Sequence, residues 1–191
     1  MKENKKLLLG LFASSSNKIE KDYFIESQKV AEIFAKKGFS LIYGGGNIGI
    51  MKAFADIFHL YRRDIISVIT EKLDKFGVGY KEASSEYIIT KDLYQRKKVI
   101  IEKSDIILVM PGGIGTIDEL FEALAQKQLN YINKPIIIYN YKNYFSPIIE
   151  MFNKMIKEKF AYYSLNNLYI LISNPSELDY FLEEVFFSSS K

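Results

Sequence analysis

Gly112, Gly113 and Gly115 stand in the run Val109-Met110-Pro111-Gly112-Gly113-Ile114-Gly115-Thr116-Ile117-Asp118-Glu119-Leu120, where an apolar segment ends and a helical pattern begins. That layout suits an anion. Asp105 to Met110 reads as a buried strand, because Ile106, Ile107, Leu108 and Val109 are continuous and mostly β-branched, and Pro111 ends it by removing a backbone donor. The glycines let a ligand approach bare N–H groups, and the helix running to about Leu129 presents its positive dipole end to the same place. Thr116 is expected to cap that helix. Thr116 and Glu119 also form a capping box, so Glu119 has two readings: a helix-closing group, or a carboxylate held for reaction.

A second loop, Gly44-Gly45-Gly46-Asn47-Ile48-Gly49, matches G-x-G-x-x-G, yet it follows the second strand rather than the first. No acidic residue ends a strand about twenty positions on, since Asp64 opens its strand, so the dinucleotide reading is weak. Two such loops suit a ligand whose single phosphate is gripped from two sides, although either is also explained as a tight turn. Arg96 and Lys97 follow Asp92 at a helix start, where cations oppose the dipole, and this points to placement for an anionic ligand. Lys98 reads as a solvated face. His59, the one histidine, reads as a surface or interface residue.

The elements that must position these groups alternate along the chain. Strands are expected at Leu7 to Ala13, Phe39 to Tyr43, Asp64 to Thr70, Tyr87 to Ile89, Asp105 to Met110, Lys134 to Tyr139 and Leu168 to Ile172. Helices are expected over 20–37, 50–61, 92–104, 116–129 and 144–158, with a last one from Pro175 to about Phe187. Glu71 to Ser85 is polar and reads as a mobile loop. Alternation with short connections implies parallel strands and right-handed crossovers, hence an α/β fold: one Rossmann-like, doubly wound domain over 1–191 with about seven strands, its ends 1–6 and 188–191 flexible. On such a sheet the Ser14 to Ser16 turn and both glycine loops converge at the carboxyl ends of the strands.

Composition narrows the classes. The 26 basic and 23 acidic residues leave only +3, with no basic stripe for a nucleic acid. Without cysteine there is no disulfide framework, thiol nucleophile or thiolate metal site, which agrees with a cytoplasmic protein. Lys2, Lys5 and Lys6 before Leu7 to Ala13 imitate a short signal peptide, but the same residues serve as the first strand, and no run is long enough to span a membrane. Tyr131, Phe145, Tyr162 and Tyr163 suggest an oligomer surface.

Pro111 to Glu119 resembles the PGGxGTxxE signature of the "Lonely guy" (LOG) family, cytokinin riboside 5′-monophosphate phosphoribohydrolases often labelled lysine decarboxylase. Phe12-Ala13-Ser14-Ser15 resembles that family's CGSS, Tyr43 to Gly46 with Gly49-Ile50-Met51 its GGGxxGLM, and Arg96-Lys97 its MHxRK. The likeness runs from about residue 7 to 160. Ala13, Lys52, Leu93 and Tyr61-Arg62 depart from it, at the base pocket and second helix. The resemblance implies hydrolysis of the N-glycosidic bond of a nucleoside 5′-monophosphate, of the AMP or cytokinin type, to free base and ribose 5-phosphate. It implies Glu119 and Arg96 as catalytic residues: Glu119 stabilises positive charge at C1′ and orients water, and Arg96 holds substrate and carboxylate in register. Ser14, Gly44, Gly45, Gly46, Lys97, Gly112, Gly113, Gly115 and Thr116 would then bind phosphate or substrate, with no metal or cofactor required. A homodimer is implied, with no nucleic-acid or membrane partner. The rival class is a nucleotide or molybdenum-cofactor carrier without turnover. Amino-acid decarboxylation ordinarily needs pyridoxal phosphate on a lysine, and no lysine stands in a recognisable cofactor motif.

Overall fold

An uninterrupted apolar strand is stable only where both of its faces are covered, and that condition organises this chain. The computed structural model describes residues 6–188. In order the elements are β1 (Leu8–Phe12), α1 (Lys21–Lys36), β2 (Ser40–Tyr43), α2 (Gly49–Leu60), β3 (Ile65–Thr70), α3 (Glu71–Lys75) and β4 (Glu86–Thr90). There follow α4 (Leu93–Lys103), β5 (Ile106–Val109), α5 (Ile114–Gln128), β6 (Ile136–Tyr139), α6 (Ser146–Lys157), β7 (Ile170–Ile172) and α7 (Pro175–Leu182). The seven strands form one parallel sheet in the order β4-β3-β2-β1-β5-β6-β7, so the expected doubly wound α/β architecture is present.

Alternation along each strand splits the core in two. Leu9, Leu11, Leu41 and Leu108 pack with Val30, Phe34, Phe54, Phe58 and Leu178, placing α1, α2 and α7 on one face. Phe12, Ile42, Ile107 and Val109 pack with Ile100, Leu120, Leu124 and Phe152, placing α4, α5 and α6 on the other. Since β1 pairs with β2 on one side and β5 on the other, the chain reverses its winding there, and the loops after these strands open a crevice between them. Among the described residues no helix is long and apolar enough to cross a membrane.

Three expectations need correction. The helix after the PGG stretch starts at Ile114 with Gly113 at its N-cap, so Thr116 lies inside the first turn and caps nothing. Residues 71–85 are more than a loop: they hold α3, and Asn47 N–H donates to Val78 O at 3.0 Å while Tyr80 N–H donates to Gly45 O at 2.9 Å. Phe145 is fully buried in the core, whereas Tyr131 and Tyr162 are 78% and 82% exposed; the Tyr163 side chain lies outside what the structure describes. Of the ends 1–6 and 188–191, residues 1–5 and 189–191 lie outside the described residues; Lys6 Nζ lies 2.6 Å from Asp64 and Ser188 Oγ donates to Glu183 O at 2.9 Å.

Gly49 couples the turn after β1 to α2. Its φ is +69°, and a Cβ there would lie 2.5 Å from Ser14 O. Gly113 is the opposite case, with φ −83° and open space where its Cβ would be. Gly49→Ala is therefore expected to lower stability by about 2 kcal/mol or more, from backbone strain and displacement of the Ser14 turn. Gly113→Ala should leave the denaturation midpoint near the parent's. Chemical denaturation of the two variants side by side checks both.

Candidate active site

α4 crosses beneath β3, β2 and β1 and carries Arg96 from the sheet edge to the crevice. Asp92 caps the helix, its carboxylate accepting Gln95 N–H at 2.7 Å, which offsets the cation in the first turns. The Arg96 side chain is buried, with the residue only 9% exposed, and three of its N–H groups are committed: Nε to Val68 O at 3.0 Å, Nη2 to Gly44 O at 3.0 Å and Nη1 to Glu119 Oε1 at 3.1 Å. A guanidinium has five N–H donors, so two remain for a ligand. Gly44 is required by this arrangement, since a Cβ there would collide with the guanidinium.

Glu119 projects from α5 and is 8% exposed; its second oxygen has no protein hydrogen bond among the described residues. Burial pushes its pKa up to about 7, outweighing the attraction of Arg96 that pulls it down, with Asp118 adding to the rise. The capping-box reading therefore fails: the carboxylate bonds to Arg96 and the helix begins without it.

The pair opens on a cavity of about 450 Å³ lined by Ala13, Ser15, Gly44, Gly46, Gly113, Gly115, Thr116, Arg96 and Glu119, with an apolar wall of Ile48, Met51, Ile69, Leu73, Val78 and Ile114. Loops after β1, β2 and β5 thus meet in one cleft. At its α5 end the first helical bond runs from Ile117 N–H to Gly113 O at 3.1 Å, and the N–H groups of Gly113, Ile114 and Gly115 meet no protein acceptor among the described residues. The start of α2 differs: Gly49 N–H donates to Asn17 Oδ1 at 2.8 Å and Met51 N–H to Ser14 O at 3.3 Å. Free donors for an anion are concentrated at α5.

Several anticipated residues stand apart from the cavity. Lys97 Nζ lies 2.9 Å from both Asp118 oxygens and 3.7 Å from Glu122, clamping α4 to α5 on the outside. Ser14 joins the loops with its backbone: its N–H donates to Pro111 O at 3.2 Å and its carbonyl accepts from Met51. Gly112 is covered by the Thr116 side chain, and Gly45 packs against Ser67 and Ile69. His59 is exposed at the far end of α2.

Sequence reasoning missed the cavity's outer wall and its fastening. Tyr80 Oη donates to Asp56 at 2.7 Å, Lys52 Nζ lies 2.6 Å from the same carboxylate, and the ammonium sits 4.9 Å above the Tyr80 ring. Tyr87 Oη and Lys81 Nζ both meet Asp74, at 2.7 and 3.0 Å, and hold its carboxyl below the usual range. These contacts fix Leu73 and Val78 over the cleft. Lys52 was visible as a departure from the family pattern, and its i,i+4 spacing to Asp56 on α2 was the local signal of the ion pair, whereas the Tyr80 contact to the same carboxylate had none. Among the described residues no three His, Cys, Asp or Glu side chains are grouped to hold a metal.

A family model described as "possible lysine decarboxylase" matches residues 51–180. The chain is 30% identical over 174 residues to a probable cytokinin riboside 5′-monophosphate phosphoribohydrolase of Oryza sativa subsp. japonica, covering 91% of this chain and 71% of that one. It is also 30% identical to a cytokinin riboside 5′-monophosphate phosphoribohydrolase of Arabidopsis thaliana, covering 92% and 80%. Among solved structures, the molybdenum cofactor binding protein of Rippkaea orientalis superposes with a TM-score of 0.72 at 19% identity, covering 96% of this chain and 99% of that one. At that identity the likeness is one of fold.

Because Glu119 binds its proton more tightly in the folded protein than at the ordinary value of 4.5, its contribution to stability is whole below that pH and is lost as pH rises through about 7. Glu119→Gln removes the titration. The melting temperature of this variant should therefore gain on the parent's between about pH 5 and pH 8, and a difference independent of pH would exclude the raised pKa.

Proposed function

The chain belongs to the family described as possible lysine decarboxylase, whose members include the plant phosphoribohydrolases, and we propose that it hydrolyses the N-glycosidic bond of a nucleoside 5′-monophosphate. The observation that carries this is a buried carboxylate fixed by a buried arginine in a cavity that an uncapped helix start also lines. Water adds to C1′, the C1′–N bond breaks, and the products are ribose 5-phosphate and the free base, which takes up a proton. As the bond breaks, positive charge grows on the sugar. The Glu119 carboxylate stabilises that charge and orients or deprotonates the water. Arg96 holds Glu119 through Nη1 and offers its two free N–H groups to the ribose, the phosphate or the departing base. The N–H groups at the start of α5, with Thr116 nearby, receive the phosphate, and the apolar wall accepts the base.

The protein is not a pyridoxal-phosphate lysine decarboxylase: that cofactor needs a lysine for its Schiff base, and among the described residues no lysine lines the cavity. The carrier reading draws on fold likeness at 15% to 19% identity, which does not reach function. A cytoplasmic setting suits the cysteine-free composition.

AMP should be hydrolysed much faster than adenosine, because phosphate binding energy positions the sugar. The rate kcat/KM should rise with pH to a plateau above about 7 as Glu119 ionises. Glu119→Gln should slow turnover roughly a hundredfold or more while keeping nucleotide affinity, and its remaining pH limb should be that of the substrate phosphate, near ~6. Arg96→Ala should lose turnover as well, and the double variant little beyond the worse single one. Equal rates on AMP and adenosine would sink the proposal, and so would nucleotide retained without release of base.

We also propose a homodimer that completes the site. Leu93, Tyr94, Phe121 and Tyr131 are exposed on and beside α4 and α5, and Ile114 is 87% exposed at the cavity mouth, a concentration of apolar surface suited to a second copy. Light scattering at micromolar protein should report two chains per particle. A fully active monomer would refute the assembly.

A further inference from the structure

Three successive carbonyls lead into α5, and each is tied to a different part of the fold. Pro111 O accepts Ser14 N–H at 3.2 Å, Gly113 O accepts Ile117 N–H at 3.1 Å, and Gly112 O accepts the Tyr144 hydroxyl at 2.7 Å. Only the middle one is held by a side chain. A peptide unit is planar and trans, so the carbonyl of Gly112 and the N–H of Gly113 point in opposite directions. Drawing the carbonyl toward Tyr144 turns that N–H away from it, and Gly113 is a lining residue of the cavity whose N–H has no protein acceptor among the described residues. Between two glycines little else resists rotation of the unit.

The phenol is itself carefully placed. Asn140 is buried, its Oδ1 accepting Phe145 N–H at 2.7 Å and its Nδ2 reaching Ser146 Oγ at 3.3 Å. Between these anchors the chain passes through Lys142 and Asn143, both left-handed, with φ +53° and +59°, and delivers Tyr144. Left-handed residues other than glycine cost of order 1 kcal/mol each and persist where the surroundings enforce them. The Tyr144 ring then stands edge-on to Phe145 and Tyr23, with centroids 5.1 and 6.2 Å apart.

We propose that Tyr144 is a positioning residue for the phosphate end of the cavity: its hydroxyl sets the orientation of the Gly112–Gly113 peptide and so aims the Gly113 N–H at the substrate's phosphate. The inference rests on the reading of the cavity as a nucleoside monophosphate site. Tyr144 acts through the loop, without touching the reacting atoms.

The test compares Tyr144→Phe with Tyr23→Phe, which removes a hydroxyl from the same aromatic cluster but not one bonded to the loop. Ribose 5-phosphate is titrated by calorimetry, and AMP and adenosine are compared kinetically. Tyr144→Phe should weaken ribose 5-phosphate and raise KM for AMP by roughly threefold to tenfold, the worth of one hydrogen bond, with a smaller change in kcat. Its loss on AMP should exceed its loss on adenosine, and Tyr23→Phe should match the parent. A parent that binds ribose 5-phosphate beside a Tyr144→Phe protein that binds it equally well overturns the role of Tyr144 alone, as does an equal loss on both substrates. A parent that binds neither ribose 5-phosphate nor AMP overturns the reading of the cavity and this inference with it.

Discussion

A guanidinium taken out of water must find an acceptor for each N–H that no ligand will meet, and the centre of this protein is arranged around that requirement. β2 ends at Tyr43, opposite Ser67, so beyond that point β3 continues without a residue of β2 beside it. Arg96 enters there and takes the Val68 and Gly44 carbonyls. The position of Gly44 in the chain, the reach of α4 beneath the sheet and the place of Glu119 on α5 all follow from seating one cation. Removing either partner of a buried pair costs about 3–5 kcal/mol, because the other charge is left behind. The same pair thus fixes the meeting of α4 with α5 and the direction of the Glu119 carboxylate.

The electrostatics of the cleft follow from its depth. Low exposure raises the proton affinity of Glu119, while Arg96 and the open end of α5 supply positive potential to the same cavity. On the proposed reading, phosphate is drawn to the helix start and the carboxylate is left to the sugar. Arg96 neutralises the Glu119 carboxylate through Nη1 within the cavity that the α5 start also lines.

Much of the fold was legible because buried parallel strands are written as continuous apolar runs such as Ile106 to Val109 and Ile136 to Tyr139. The start of α5 falls earlier than expected: Ile114 and Gly115 are poor helix formers and Thr116 with Glu119 mimics a cap, but Gly113, at φ −83° and ψ −160°, takes the N-cap position. Arg96 and Lys97 are equivalent in a linear reading, but neighbours on a helix point about 100° apart, so only one faces the cleft and the other reaches Asp118 outside. Residues 71–85 read as mobile because they are polar. Their order comes from partners such as Gly45, Asn47 and Asp56, which no local pattern announces.

The middle position of β1 in the sheet has a consequence for how the protein is made. Leu8 to Phe12 are synthesised well before β5, and one long edge of their strand is closed only by β5, with Leu8 N–H donating to the Asp105 carboxylate 97 residues further on. At ordinary rates of translation that edge stays open on the order of 5 to 20 s while β2, β3 and β4 emerge. During that interval the nascent half-sheet presents an apolar, unpaired strand to the ribosome surface and to neighbouring chains. A chaperone that shields Leu9, Leu11 and Phe12 until Ile106 to Val109 arrive would protect the pairing that joins the two halves of the sheet.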